Sequence, residues 1–224
     1  MPNPKLCAIC GYMQATTRDH IPPKGVFPKP LPVIMLTVPA CAGCNNGASE
    51  VDERFRLYLA AQTAHFQDDA TRLWKERALR SLQSNKKLMR EFARNVGARV
   101  QIRASDGAIE ERLPLQWPVS AYVPVIERMV RGLFYHHFDS VLGKRGKCDI
   151  HMLHEIPQTF HDATNGWIGG DVGGQIFVYR FAKLDDIRSY WIFQFFDSHW
   201  ATAETYPADG EPIADLEEAP AEDS

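Results

Sequence analysis

The chain has 224 residues, 45% of them apolar, with 25 Lys and Arg against 28 Asp and Glu and a formal charge of −3. That is enough apolar material for a sizeable core, and it excludes a chain disordered throughout. No run approaches the ~18 apolar residues of a membrane helix and the first residues lack a secretory apolar run, so a soluble, cytoplasmic protein with no membrane partner is expected.

Residues 1–48 are rich in Cys, Pro and Gly and carry little helical periodicity, which predicts short strands pinned by something other than a core. A helix is expected from Ser49, with Asp52 in a capping-box position and Val51, Phe55, Tyr58 and Leu59 on one apolar face. A second helical region spans residues 68–96, where Trp74, Ala78, Leu82, Met89, Phe92 and Val96 recur at helical spacing and Asn85 marks a break. Its other face is basic: from Arg72 to Arg103 there are ten Lys or Arg against only Glu76 and Glu91. Such a run reads first as a solvated face.

Strands are predicted at 99–103 and 109–117, joined by a turn at Ser105-Asp106-Gly107. A third helix is expected to begin near Pro124, which suits a first helical position. Ile126, Met129, Val130, Leu133 and Phe134 form its stripe, and Glu127 with Arg131 an i,i+4 pair. After Gly143 strands return. Segments 175–182 and 189–196 are dense in aromatic and β-branched residues around a turn at Asp185-Asp186, and their two apolar faces predict cover on both sides. Gly169-Gly170 and Gly173-Gly174 lack the Gly-Lys-Ser/Thr ending of a phosphate loop and read as a connection. Residues 204–224 hold eight acids and no Lys or Arg, without which the formal charge rises from −3 to +5; they read as a disordered, solubilising tail.

Four of the five cysteines form two pairs, Cys7-x2-Cys10 and Cys41-x2-Cys44, separated by 30 residues. Neither pair has the βαβ setting of a redox motif, and four thiolates fit one tetrahedral zinc. An all-sulfur site leaves no open position, so this Zn²⁺ is structural. Between the pairs, Arg18-Asp19-His20 runs into Pro22-Pro23, where neither a helix nor a central strand continues. Closing the knot folds Asp19 and His20 back towards Asn45, the residue after Cys44. Asp19 and Asn45 can each give an oxygen to a hard cation such as Mg²⁺, and a neutral His20 can accept a proton from water. Neighbouring strand residues face opposite ways, so both serve one site only if the strand bends or ends at the prolines. Taken alone, Asp-His reads first as a local hydrogen-bonded pair that stabilises the loop; the cysteine frame around it turns the reading to a site. His151, His154 and His161 lack the tight spacing of a second metal site. His136, His137 and His199 read as packed or exposed, Cys148 as an unpaired thiol, and the aromatic run 190–200 as core.

The pattern Cys-x2-Cys, Asp-His, Cys-x2-Cys-Asn resembles the HNH endonucleases, the ββα-metal group, in the branch held by a four-cysteine zinc. The resemblance covers about residues 5–60. It implies a zinc-pinned ββα module over residues 1–62; with the helical and antiparallel β accessory region (63–203) and the acidic tail (204–224) read from the rest of the chain, an α+β fold is expected. It also implies that His20 is the general base, that Asp19 and Asn45 hold a catalytic Mg²⁺ or Mn²⁺ with Asn46 as the alternative register, and that the products are 5′-phosphate and 3′-hydroxyl ends. Two departures stand out. No Asn precedes the third cysteine, which leaves Thr37 or backbone carbonyls to hold the histidine. No Lys follows Asn45, and Glu50, Asp52 and Glu53 come next. Nucleic-acid contacts are then expected from Arg18, Lys24, Arg72, Lys75, Arg80, Lys86, Lys87, Arg90 and Arg94, with DNA ahead of RNA and a homodimer left open. The competing reading keeps the scaffold without the chemistry, as a zinc-stabilised nucleic-acid-binding or protein-interaction module.

Overall fold

A computed structural model describes residues 5–63, 67–103, 107–153 and 156–212. It is a mixed α/β structure with antiparallel sheets. Strands β1 (Thr17–Ile21) and β2 (Leu36–Ala40) form a hairpin, followed at once by the short helix α1 (Ala42–Asn46) and then by α2 (Ser49–Thr63). The 68–96 region divides. Helix α3 (Asp68–Leu73) passes through a π-helical turn at Trp74–Ala78 into α4 (Leu79–Ser84), and α5 (Lys86–Asn95) begins anew. Asn85 makes the break, since its side-chain oxygen caps α5 by accepting the Leu88 N–H at 3.0 Å. Met89, placed by periodicity on the apolar face, is 46% exposed, and Leu88 is the buried residue of α5.

Strands β3 (Val100–Arg103) and β4 (Ile109–Arg112) pair in a largely exposed hairpin. Residues 105–106 of the expected turn lie outside the described residues. The strand expected over 109–117 stops at 112, and Trp117 leaves the ladder for a buried aromatic cluster. Helix α6 (Val119–Phe138) starts five residues earlier than expected, after Pro118 as N-cap, so Pro124 lies inside it on an exposed turn. Five strands then form one antiparallel sheet in the order β5-β9-β8-β7-β6: β5 (Gly146–Leu153), β6 (Ile168–Val172), β7 (Phe177–Lys183), β8 (Ser189–Phe195) and β9 (His199–Pro207). Gly169 and Gly170 belong to β6 rather than to a connection, while Gly173 and Gly174 turn the chain with φ of +77° and +53°. The acidic segment also begins later than its composition implied. Residues 204–207 complete β9, and Glu204, 5% exposed, pairs with Arg188 at 3.2 Å. Residues 213–224 lie outside the described residues.

Helix α6 organises the interior. One flank receives the β1–β2 hairpin, another α2, and a third β5 and β9. Alternate residues Trp191, Phe193 and Phe195 of β8 are fully buried on the helix side of the sheet. The opposite side is covered only in part, where α7 (Gln158–Ala163) brings His161 against Trp200 with ring centroids 6.1 Å apart. Aromatic residues join the parts: Phe55 of α2 lies 5.4 Å from Trp117 and 5.5 Å from Phe195, centroid to centroid. A single hydrophobic core therefore contains Ile21 and Val38 of the hairpin together with Phe193 of the sheet.

Candidate metal centre and hydrolytic site

The sulfur atoms of Cys7, Cys10, Cys41 and Cys44 all lie within 4.8 Å of one another. Tetrahedral Zn–S bonds of ~2.3 Å require sulfur atoms about 3.8 Å apart, so the four cysteines are placed to bind one metal ion and suit a structural zinc. Backbone bonds build the cradle: Cys7 N–H donates to Met13 O at 2.8 Å, Gly11 N–H to Cys7 O at 2.9 Å and Ala8 N–H to Pro39 O at 2.8 Å. These tie the first cysteine pair to β2. Burial pushes the Cys7 and Cys44 thiols up. Burial acts the same way on Cys10, but backbone hydrogen bonds from Tyr12 and Met13 and the neighbouring thiols outweigh it and bring Cys10 to about 7. One thiolate is thus available near neutral pH, and a bound ion would displace the other protons.

β1 continues through both candidate residues. Asp19 pairs with Val38 and His20 with Thr37, and the ladder ends at Ile21 because Pro22 carries no N–H. The strand does not end between Asp19 and His20, so their side chains take opposite faces. Thr17, Asp19 and Ile21 face α1 and α6, whereas Arg18 and His20 face outwards. Asn45 joins the inner face: its Nδ2 donates to Thr17 Oγ1 and to Arg18 O, both at 3.1 Å. Asn46 is exposed. Asn45 and Asp19 therefore share one face of β1 while His20 leaves from the other.

Asp19 is 5% exposed. Its Oδ1 accepts the His20 N–H at 2.9 Å, and its Oδ2 lies 3.0 Å from Arg128 Nε, a charge contact not aligned as a hydrogen bond. The same guanidinium donates from Nη2 to Asp52 Oδ1 at 2.5 Å. Asp52 thus faces α6 instead of capping its own helix. Burial pushes both carboxyls above the ordinary carboxylate range, against the opposing charge of Arg128. Sequence reasoning missed Arg128, although a signal was present. It sits within the buried run Val125-Ile126-Met129-Val130, where a charge calls for a buried counter-charge.

His20 is half-buried. Burial and the charge of Lys24 lower its pKa, Asp19 opposes them and Arg18 adds to them, so the imidazole favours its neutral form. Thr37 does not hold the ring: its hydroxyl is taken by Arg18, whose Nε and Nη2 donate to Oγ1 at 2.9 and 2.7 Å. Of the expected nucleic-acid contacts, Arg72 is held by Asp69 at 2.8 Å and by the Lys29 carbonyl, and Lys87 lies 3.7 Å from Glu50. Arg18, Lys24, Lys75, Arg80, Lys86, Arg90 and Arg94 are exposed. A cleft of about 600 Å³ beside the four-cysteine cluster is lined by Tyr12, Arg128, Arg131, Lys144 and Lys147. Its charge largely cancels: Arg131 is bound to Glu127 at 2.7 Å, Arg128 to two carboxylates, and four thiolates around a dication would offset the lysines.

Among the described residues the other histidines are packed against rings or paired with a side chain. His199 stacks on Trp117 at 4.8 Å, His137 contacts Phe181 at 4.3 Å and Tyr179 Oη at 3.0 Å, and His151 pairs with Asp149 at 2.8 Å. His154 lies outside the described residues, among which the four cysteines form the only metal-ligating group. Cys148 is unpaired, and burial pushes its thiol up to about 12. No described helix is long and apolar enough to cross a membrane. Comparison of the chain with protein-family models, with curated proteins and with solved structures finds no match in any of the three.

Proposed function

We propose that this protein is an endonuclease that hydrolyses phosphodiester bonds in nucleic acid, with DNA the first substrate to test and His20 as the general base. One observation carries the reading: a hairpin presenting a half-buried imidazole beside an acid is tied, through four cysteines and Asn45, to the helix that follows it. The β-β-α order of these elements is similar to that expected of the HNH group, which supports the reading. His20 has the properties the role needs, because a base favouring its neutral form can take a proton from an attacking water. Arg18 and Lys24, exposed on either side, supply positive charge where a phosphodiester would approach.

The resemblance also implies a catalytic Mg²⁺ or Mn²⁺ on Asp19 and Asn45 or Asn46. The residues as arranged do not fit that ion. One Asp19 oxygen accepts the His20 N–H and the other lies against the Arg128 charge, leaving the buried carboxylate closed to a cation, and Asn45 turns its Nδ2 into the strand. No step is therefore routed through a second metal. The same locked carboxylate favours a second reading, in which the chain has kept the zinc scaffold as a non-catalytic nucleic-acid-binding or protein-interaction module. Nicking of supercoiled plasmid, with Mg²⁺, with Mn²⁺ and without added cation, separates the two. The hydrolytic reading expects cleavage that His20→Ala reduces by about 10²-fold or more, with zinc content unchanged. Binding without cleavage of DNA or RNA under every condition selects the module. The mass of the cleaving species decides between a monomer and a homodimer.

A further inference from the structure

On the face of the five-stranded sheet turned away from α6, the strand register lines up Val178, Gln194 and Trp200 across β7, β8 and β9, with Arg180, Ile192 and Thr202 beside them. Helix α7 and the Thr164 that follows it lie over part of this face. Between helix and sheet is a cleft of about 40 Å³ lined by Arg180, Gln194, Trp200, His161 and Ile192. Ile192, 5% exposed, forms an apolar floor, and the Trp200 and His161 rings meet edge to face with centroids 6.1 Å apart. The Arg180 guanidinium and the Gln194 amide are half-buried, and neither has a hydrogen-bond or ion-pair partner among the described residues. No described carboxylate lines the cleft. Asp171, on the same face of β6, makes no ion pair with Arg180, and the Thr164 hydroxyl donates to Phe160 O at 2.9 Å.

A guanidinium carries five donors, and half-burial beside apolar walls strips water from them at a cost in stability unless an acceptor takes its place. The neighbouring strand makes room for this one. Gly169 stands opposite Arg180, and a Cβ there would lie 3.2 Å from Arg180 Cγ, so the bare backbone accommodates the arginine stem. Volume and donor set narrow the acceptor. At ~10–15 Å³ for each water-sized group, the cleft holds about three such groups. A carboxylate fits that space, whereas a tetrahedral phosphate overfills it. A planar carboxylate also meets a guanidinium through two parallel N–H···O bonds, and the Gln194 amide offers a further donor. Ile156, Val178 and Trp200 present apolar surface to the hydrocarbon body of such an acid.

We propose that Arg180 and Gln194 form a binding site for a small organic carboxylate, with Trp200 against its apolar body. The site lies on the sheet face turned away from α6 and does not depend on the hydrolytic reading. Benzoate and inorganic phosphate are the probes, titrated separately into the full chain at constant ionic strength and followed by calorimetry. Benzoate should bind once per chain, and more tightly than phosphate. Arg180→Gln removes no described contact, so it should keep the melting temperature of the free protein while weakening benzoate binding about 10-fold or more. Gln194→Leu, which takes away one neutral donor, should weaken it about 2–10-fold. Arg103→Gln, on the separate β3–β4 hairpin, is the control and should bind as the wild type does. Equal benzoate affinity in the wild type and Arg180→Gln would overturn the site. So would a wild-type protein that binds no benzoate, or one that prefers phosphate.

Discussion

Arg128 shows how one side chain constrains the whole site. Its guanidinium stands 8% exposed between a strand carboxylate and a helix carboxylate, joining β1, α2 and α6. Removing the cation would leave a buried Asp19 and a half-buried Asp52 facing each other. Breaking a buried pair in this way costs about 3–5 kcal/mol, so Arg128→Met should lose that much stability in urea unfolding at pH 7. Asp52→Asn keeps the Arg128–Asp19 contact and relieves carboxylate repulsion, and it should cost less than half as much. Equal losses in the two variants would show that the triad is not a charge-balanced unit. The cysteine spacing made the four-cysteine cluster legible in the sequence, since four soft ligands in two close pairs have few other arrangements. The placement of Asp19 was not legible. Alternation would set it opposite His20, but the prolines point to a strand that ends in time to bring both to one site. The strand runs on, and the partner on the actual face of Asp19 comes from a helix more than 100 residues later.

At the scale of elements, the hairpin meets α6 at Gly132. A Cβ there would fall 1.9 Å from Ile21 Cδ1 and 3.3 Å from Val38 Cγ2. Gly132→Ala gains up to ~1 kcal/mol of helix propensity yet must push the hairpin away, an overpacking cost of about 1–3 kcal/mol. The net effect should be a lower melting temperature, together with weaker placement of Asp19 against Arg128. An unchanged or raised melting temperature would show that the hairpin does not bear on this helix. Periodicity located α2, the Asn85 break and the strands at 175–196 because each has a strong local signal. It misplaced the start of α6, because Pro124 also sits without penalty on an outer turn once Pro118 caps the helix. Composition likewise hid the end of β9: Glu204 was averaged into an acidic tail, whereas Arg188 on the adjoining strand gives it a buried partner.

Over the whole molecule, the four-cysteine cluster and the sheet share one core, so losing a metal bound there should not be a local event. Structural zinc contributes on the order of 10 kcal/mol or more. Chelation, or Cys44→Ser, should therefore lower the melting temperature of the entire protein in a single transition. Two separated transitions, with the sheet melting unaltered, would mean that residues 5–60 fold as an independent unit. The zinc reading and the hydrolytic reading are separable in this respect, because the first concerns folding and the second a single imidazole on the outer face of β1. The measurement that bears most directly on the latter is the single-turnover cleavage rate of a labelled DNA duplex by wild-type and His20→Ala proteins matched for zinc content and melting temperature. A loss of about 10²-fold or more is predicted for His20→Ala; equal rates in the two proteins would contradict the account.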